Sequence, residues 1–264
     1  MESVWWLLAQ LHQKGKLYKG YTIQPYSPMA GTGLSSHELN QPGTYRDVKD
    51  TTIVAQFRAT AAAREKVLQL VGCKGTEEPL DFLAWTTTPW TLPSNTALTV
   101  GPDIPYAVVR TTNRYTEAPG FVVVAEALVA QQWGDKKAPD HEVVGTVQGS
   151  DLVGMRYEPL FDWATPMENV EAAFQVIPGD FVTTEDGTGM VHTAPTFGAD
   201  DARVAKDAGV PAMLVDDGHG HGVPLVDLQG RFRVGPFAGR HVKAEFDVDA
   251  KEDTKPLDVE IAIL

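Results

Sequence analysis

Turn-forming residues recur so often along this chain that few long regular elements fit between them: 24 glycines and 18 prolines are spread through 264 positions. Short apolar or β-branched runs lie between the turns, the pattern of a strand-rich core. Extended structure is predicted over residues 52–57, 80–86, 106–111, 121–125, 141–146, 171–177, 181–184, 189–192 and 210–215. A helix is predicted over residues 1–14, with Val4, Trp5, Leu8 and Leu11 on one stripe and Gly15 as its stop. Further helices are predicted over 61–71 before Gly72, over 126–132, and over 200–208 before Gly209. Residues 18–44, rich in Pro, Gly and Ser, read as loop. A doubly wound sheet needs regular strand–helix alternation, which is missing. The fold class that fits is mixed α/β, with a closed or nearly closed β-barrel core and peripheral helices.

Composition narrows the function classes. A hydrophobic fraction of 43% supports a proper core. Cys73 is the only cysteine, which excludes an internal disulfide and a cysteine-based zinc site and fits a reducing, cytoplasmic setting. The first residues lack a basic start, and no run of about 18 apolar residues is present to span a membrane, so no membrane association is expected. A net charge of −13 argues against a large nonspecific nucleic-acid surface, since phosphates are held by Lys and Arg. It leaves room for gripping one short nucleic-acid end. The apolar pattern from Val259 to Leu264 breaks off at the last residue, so the chain is expected to be a piece of something longer.

Trp85-Thr86-Thr87-Thr88-Pro89-Trp90-Thr91-Leu92-Pro93-Ser94-Asn95 is the most chemically dense stretch. Its hydroxyls donate and accept while staying neutral, so they suit a ribose or a water. Its indoles offer flat apolar walls with one donor each. The stretch admits two readings: a grip for a polar group beside an apolar one, or a β-branched strand ending in a Pro turn.

Gly187-Thr188-Gly189-Met190-Val191-His192-Thr193-Ala194-Pro195 forms a second constellation, followed by Asp200-Asp201 at a predicted helix start. Carboxylates there are stabilised in the ionised form by the helix dipole and free N–H groups, and an ionised carboxylate can hold an ammonium. The plainer alternative makes one Asp the N-cap and leaves the other solvated. His192, taken alone, reads as a structural histidine. Gly218-His219-Gly220-His221-Gly222 reads as a turn rather than a metal site, because its two histidines lack further fixed ligands.

Together these two motifs resemble the editing domain of isoleucyl-tRNA synthetases, and the resemblance covers nearly the whole chain. Glu2-Ser3-Val4-Trp5-Trp6, Lys19-Gly20-Tyr21, Pro25-Tyr26-Ser27 and Leu34-Ser35-Ser36-His37-Glu38 resemble the segment leading into that domain. Gly154-Met155-Arg156-Tyr157-Glu158-Pro159-Leu160-Phe161 resembles a segment within it. The valyl and leucyl relatives carry Thr-Thr-Arg-Pro where this chain has Thr86-Thr87-Thr88-Pro89, and lack a histidine at the position of His192. The resemblance implies a lead-in segment at 1–46 from the catalytic-domain junction. It implies an editing domain at 47–243 and an acidic segment returning toward the catalytic domain at 244–264. The His-Ile-Gly-His and Lys-Met-Ser-Lys signatures of amino-acid activation do not occur in the chain, so no synthetic activity is expected of it.

The implied activity is hydrolysis of valine from mischarged tRNA(Ile). Isoleucine exceeds valine by one methylene, worth only about 1–3 kcal/mol in an apolar pocket, and the isoleucyl enzymes are themselves the standard example of double-sieve editing as the remedy. By the resemblance, His192 is the steric wall that admits valine and rejects isoleucine. Asp201 holds the substrate ammonium, with Asp200 a cap or secondary contact. Thr86, Thr87 and Thr88 bind the aminoacyl group, the ribose or the attacking water, with Thr87 the most direct. Trp90 lines the pocket or packs beneath it, and Ser94 and Asn95 fix the turn. The expected partners are the 3′ end of aminoacylated tRNA(Ile), its valine moiety and the remainder of the synthetase; no cofactor or metal is implied. Competing readings are a threonine-specific editing domain of a valyl enzyme, and a noncatalytic module binding an aminoacyl group or a tRNA end.

Overall fold

The computed structural model describes residues 1–18, 23–134, 140–243, 247 and 256–263. Lys19-Gly20-Tyr21 and most of the acidic stretch at 244–255 therefore lie outside the described residues, as does Leu264.

The strands, in chain order, are β1 (Tyr26–Ser27), β2 (Thr32–Gly33), β3 (Ile53–Arg58), β4 (Leu80–Thr86), β5 (Ala97–Val100), β6 (Pro105–Thr112), β7 (Pro119–Ala125), β8 (His141–Gln148), β9 (Gln175–Pro178), β10 (Met190–Thr193), β11 (Leu214–Asp216) and β12 (Gly222–Pro224). The helices are α1 (Glu2–Gln13), α2 (Ser36–Leu39), α3 (Ala61–Leu70), α4 (Val129–Trp133), α5 (Gly149–Leu152), α6 (Ala199–Asp207) and α7 (Leu257–Ile263). Short 3-10 turns occupy Pro89–Ser94, Glu126–Leu128 and Val170–Ala172.

One eight-stranded mixed sheet organises the molecule, in the order β8-β6-β7-β4-β10-β5-β9, with β3 paired to β4. Strand β4 is its pivot. Its Asp81–Thr86 stretch pairs antiparallel with β3, from Ile53 opposite Thr86 to Arg58 opposite Asp81. Its other edge is shared: Leu80–Phe82 run parallel to Phe121–Val123 of β7, and Trp85 sits beside Val191 of β10. Two partners diverging from one edge curl the sheet into a half-barrel. The apolar runs of β4, β6 and β7 are buried almost without alternation, as strands covered on both faces must be. Phe57, Leu80, Phe82, Leu98, Tyr106 and Met190 form the heart of the core.

Local chemistry sets the helix ends. Thr60 caps α3 by accepting the Ala63 N–H, and Gly72 follows its end at φ +76°. Gly209, at φ +70°, closes α6 in the same way. Helix α1 forms as its stripe predicts, but none of its residues is buried, and Trp5 and Trp6 face solvent.

Four sequence expectations need correction. Residues 18–44 are not all loop: β1 and β2 form a small hairpin, and α2 opens with a capping box between Ser35 and Glu38. Residues 181–184 make no strand and pair with none of the described strands. The stretch 171–177 is broken, with a 3-10 turn before β9, and only the end of 210–215 pairs as β11. Strand β5, between β10 and β9, is not anticipated at all. Among the described residues no helix is long and apolar enough to cross a membrane.

Candidate functional site

The threonine stretch starts on the sheet and leaves it abruptly. Trp85 and Thr86 end β4; Pro89 then lacks the N–H another ladder position would need, and it suits the start of the 3-10 turn Pro89–Ser94. Thr91 fastens the turn, donating both its N–H (2.9 Å) and its hydroxyl (2.8 Å) to the Thr88 carbonyl. The chain then enters β5, which runs antiparallel to β10 and sets Leu98 opposite His192. Residues about a hundred positions apart thus meet at one end of the sheet.

His192 stands at the centre of this junction and is only 6% exposed. Its Nδ1 lies 2.9 Å from the Asn95 side-chain nitrogen and its Nε2 lies 3.0 Å from the Thr91 hydroxyl. The neighbours fix the tautomer. Asn95 Nδ2 also donates to the Ala97 carbonyl (2.8 Å), so it is the amide nitrogen and must donate to His192 Nδ1. The Nε2–H then donates to Thr91, whose own proton is committed to Thr88. Tyr157, fully buried, closes the chain by donating its hydroxyl to Asn95 Oδ1 at 2.5 Å. Burial pushes the His192 pKa down to about 3, so the imidazole is neutral at physiological pH. Burial likewise pushes the Tyr157 phenol well above its ordinary range.

The three threonines divide between structure and surface. Thr86 is buried, and its hydroxyl accepts the Thr88 N–H at 3.1 Å. Thr88 Oγ1 lies between Thr86 Oγ1 (3.4 Å) and Thr91 Oγ1 (3.3 Å). Thr87 is exposed, and among the described residues its hydroxyl has no hydrogen bond. Trp90 is half-buried and packs edge-on against Phe197, ring centroids 4.9 Å apart.

The two aspartates of α6 differ sharply. Gly198, not an Asp, is the N-cap, so neither carboxylate fills the capping position. Asp201 Oδ2 instead reaches back to accept the Ala194 N–H at 2.9 Å, which ties the helix to the loop after His192. A Cβ at Gly198 would approach that carboxyl to 2.7 Å, so a side chain there would have to displace the Asp201 carboxylate. Burial raises the Asp201 pKa; the Ala194 hydrogen bond opposes this, and the charge of Asp200 adds to it. No described group is bonded to its Oδ1. Asp200 is exposed and pairs weakly with Arg203 at 3.4 Å, while Arg203 holds Asp180 at 2.6 Å.

The sheet therefore brings His192, Thr86, Thr88 and Trp90 to one end, with Asp201 attached through the loop at Ala194 and Phe197. Asn95 is more than a turn former, since it orients His192. Tyr157 carries no local sequence signal for this role, because its hydroxyl bond spans 62 positions. In 218–222 the Asp216 and Asp217 carboxylates accept the N–H groups of Gly218, Gly220, His219 and His221, which builds a turn. Among the described residues no three potential ligands converge as a metal site.

Residues 1–213 match the family model described as tRNA synthetases class I (I, L, M and V). The chain is 49% identical to the isoleucine–tRNA ligase of Porphyromonas gingivalis (strain ATCC BAA-308 / W83) and 50% identical to that of Bacteroides fragilis (strain ATCC 25285). Each alignment covers 100% of this chain and 25% of the ligase, so the chain spans a quarter of these relatives' length. A solved structure described as the crystal structure of GlLeuRS-CP1 shares the fold, with TM-score 0.54 and 18% identity over 73% of this chain and 91% of that one.

Proposed function

The chain belongs to the class I tRNA synthetases (I, L, M and V), and from that premise we propose that it is the editing unit of an isoleucyl enzyme, hydrolysing valine from mischarged tRNA(Ile). Residues 1–46 lead in from the remainder of the synthetase, 47–243 carry the hydrolytic unit, and 244–264 return. The single observation that carries the reading is the state of His192. Both ring nitrogens are engaged within the fold, and the ring does not protonate near neutral pH. A histidine so held is useless as a general base, which needs a free lone pair and a pKa near the working pH. It is well suited as a rigid wall, because a sieve that separates side chains differing by one methylene must not yield.

The substrate is a valyl ester of the terminal ribose with a free ammonium. Asp201, with Oδ1 uncommitted, holds that ammonium. The exposed Thr87 hydroxyl orients the attacking water or the neighbouring ribose hydroxyl, while Thr86 and Thr88 keep the turn in shape. Trp90, braced by Phe197, lines the apolar side. Water attacks the ester carbonyl, the acyl–oxygen bond breaks, and the proton lost by water ends on the departing ribose oxygen. Fixed placement of water and ester supplies most of the acceleration. With a net charge of −13 the unit grips only the 3′ end, and the rest of the synthetase supplies the main tRNA affinity.

The test is release of amino acid from tRNA(Ile) charged with valine or with isoleucine, using the ligase that contains this chain. Rapid release of valine beside slow release of isoleucine supports the reading; equal rates, or none for valine, overturn it.

A further inference from the structure

The backbone of the turn Pro89–Ser94 is held from outside the sheet. Trp90 is the second residue of the 3-10 turn Pro89–Ser94, so its N–H has no partner inside that turn. It donates to Asp258 Oδ1 at 3.0 Å, across 168 positions. Asp258 lies on α7, is only 4% exposed, and is seated by Leu257 and Ile261, which are buried in the core. Its second oxygen accepts from Lys243 Nζ at 2.6 Å. The same ammonium contacts both oxygens of Asp50 at 2.7 Å. An ion pair between Arg240 and Glu260 joins α7 to the same stretch of chain. The segment before β3, the end of the 140–243 stretch, and α7 therefore converge behind one peptide N–H.

That N–H is well placed to matter. The residue carrying it also carries the indole on Phe197, and the next residue holds His192 Nε2–H. A buried carboxylate whose two oxygens serve two different donors is a demanding arrangement, since losing either donor leaves a charged oxygen without its partner.

We propose that Asp258 is a positioning residue for the pocket: with Lys243 and Asp50 it clamps the Trp90 turn and so sets where Trp90 and Thr91 present themselves. Its kinetic readout rests on the hydrolytic reading above; its structural readout does not. Asp258→Asn is the sharp variant, because it keeps the shape but turns one oxygen into an NH2. Whichever way the amide lies, that NH2 faces a donor, either Trp90 N–H or Lys243. Lys243→Met added to Asp258→Asn removes that conflict and lets the amide oxygen return to Trp90.

Hydrogen exchange of the Trp90 amide, followed by NMR on this chain, reads the clamp directly. Asp258→Asn should speed it about fivefold to tenfold, the factor one hydrogen bond supplies, without changing the Phe82 and Val123 amides of β4 and β7. The double variant should restore protection. In the ligase containing the chain, Asp258→Asn should lower kcat for valine release at nearly unchanged KM, with recovery in the double variant. Unchanged Trp90 exchange both in Asp258→Asn and in Asp258→Ala, which removes the acceptor outright, overturns the clamp. Faster exchange with unaltered valine release, or no recovery in the double variant, overturns the positioning role. If the unaltered ligase releases no valine, the hydrolytic reading fails, and Trp90 exchange alone decides the clamp.

Discussion

Lowering the pH from 7 to 5 should weaken the fold through His192 by about 2 kcal/mol. The folded imidazole has its pKa depressed from 6.5 to about 3 by burial. Between those values the unfolded chain binds a proton at this site and the folded chain does not. The contribution of His192 to stability is therefore fully present above pH 6.5 and shrinks as the pH falls toward 3. Each pH unit within the window is worth about 1.4 kcal/mol, and pH 5 lies about 1.5 units inside it. Asp201 works with the opposite sign, because its folded pKa is raised: the folded state takes its proton first, which favours folding as the pH drops through that window. Urea unfolding at pH 5, 6 and 7, followed by fluorescence of the six tryptophans, should be run on the wild type and on His192→Gln in parallel. The difference between the two isolates the imidazole. The wild-type advantage should shrink by about 2 kcal/mol between pH 7 and pH 5. Parallel stability curves would refute a buried, neutral His192.

Two further outcomes follow from the same geometry. Tyr157→Phe removes the only donor to buried Asn95 Oδ1 among the described residues, so urea unfolding at pH 7 should show a loss of about 1–3 kcal/mol. Asp201→Ala should cut hydrolysis of the valyl ester sharply in the ligase by removing the ammonium anchor; full activity would assign that role elsewhere.

The half-barrel was legible where burial is local. Strand β4 lies at the predicted residues, and the glycines after α3 and α6 end them as expected, because periodicity and turn chemistry act over a few residues. What escaped was set by partners far along the chain. Ala97–Val100 is too short and too close to Pro93 to signal a strand, yet as β5 it carries the register that sets Leu98 opposite His192. Residues 181–184 have strand-forming side chains but pair with no described strand. Asn95 looked like a turn residue because its local neighbours are turn formers; its side chain answers to His192 and Tyr157 instead. Of the two adjacent aspartates, the sequence favoured Asp201 only through the family resemblance. The structure separates them by environment, one half-buried and bonded to Ala194, the other solvated beside Arg203. Asp258 gave no sequence signal, since a carboxylate early in a short helix is ordinarily a solvated one.

The central claim is that a fixed, neutral His192 separates valine from isoleucine by shape. Its most direct test is the rate of isoleucine release from correctly charged tRNA(Ile) by the ligase carrying His192→Ala. Removing the imidazole should open the pocket, so isoleucine should be released at a rate approaching that of valine. Isoleucine release that stays as slow as in the wild type, with valine release intact, would contradict the wall.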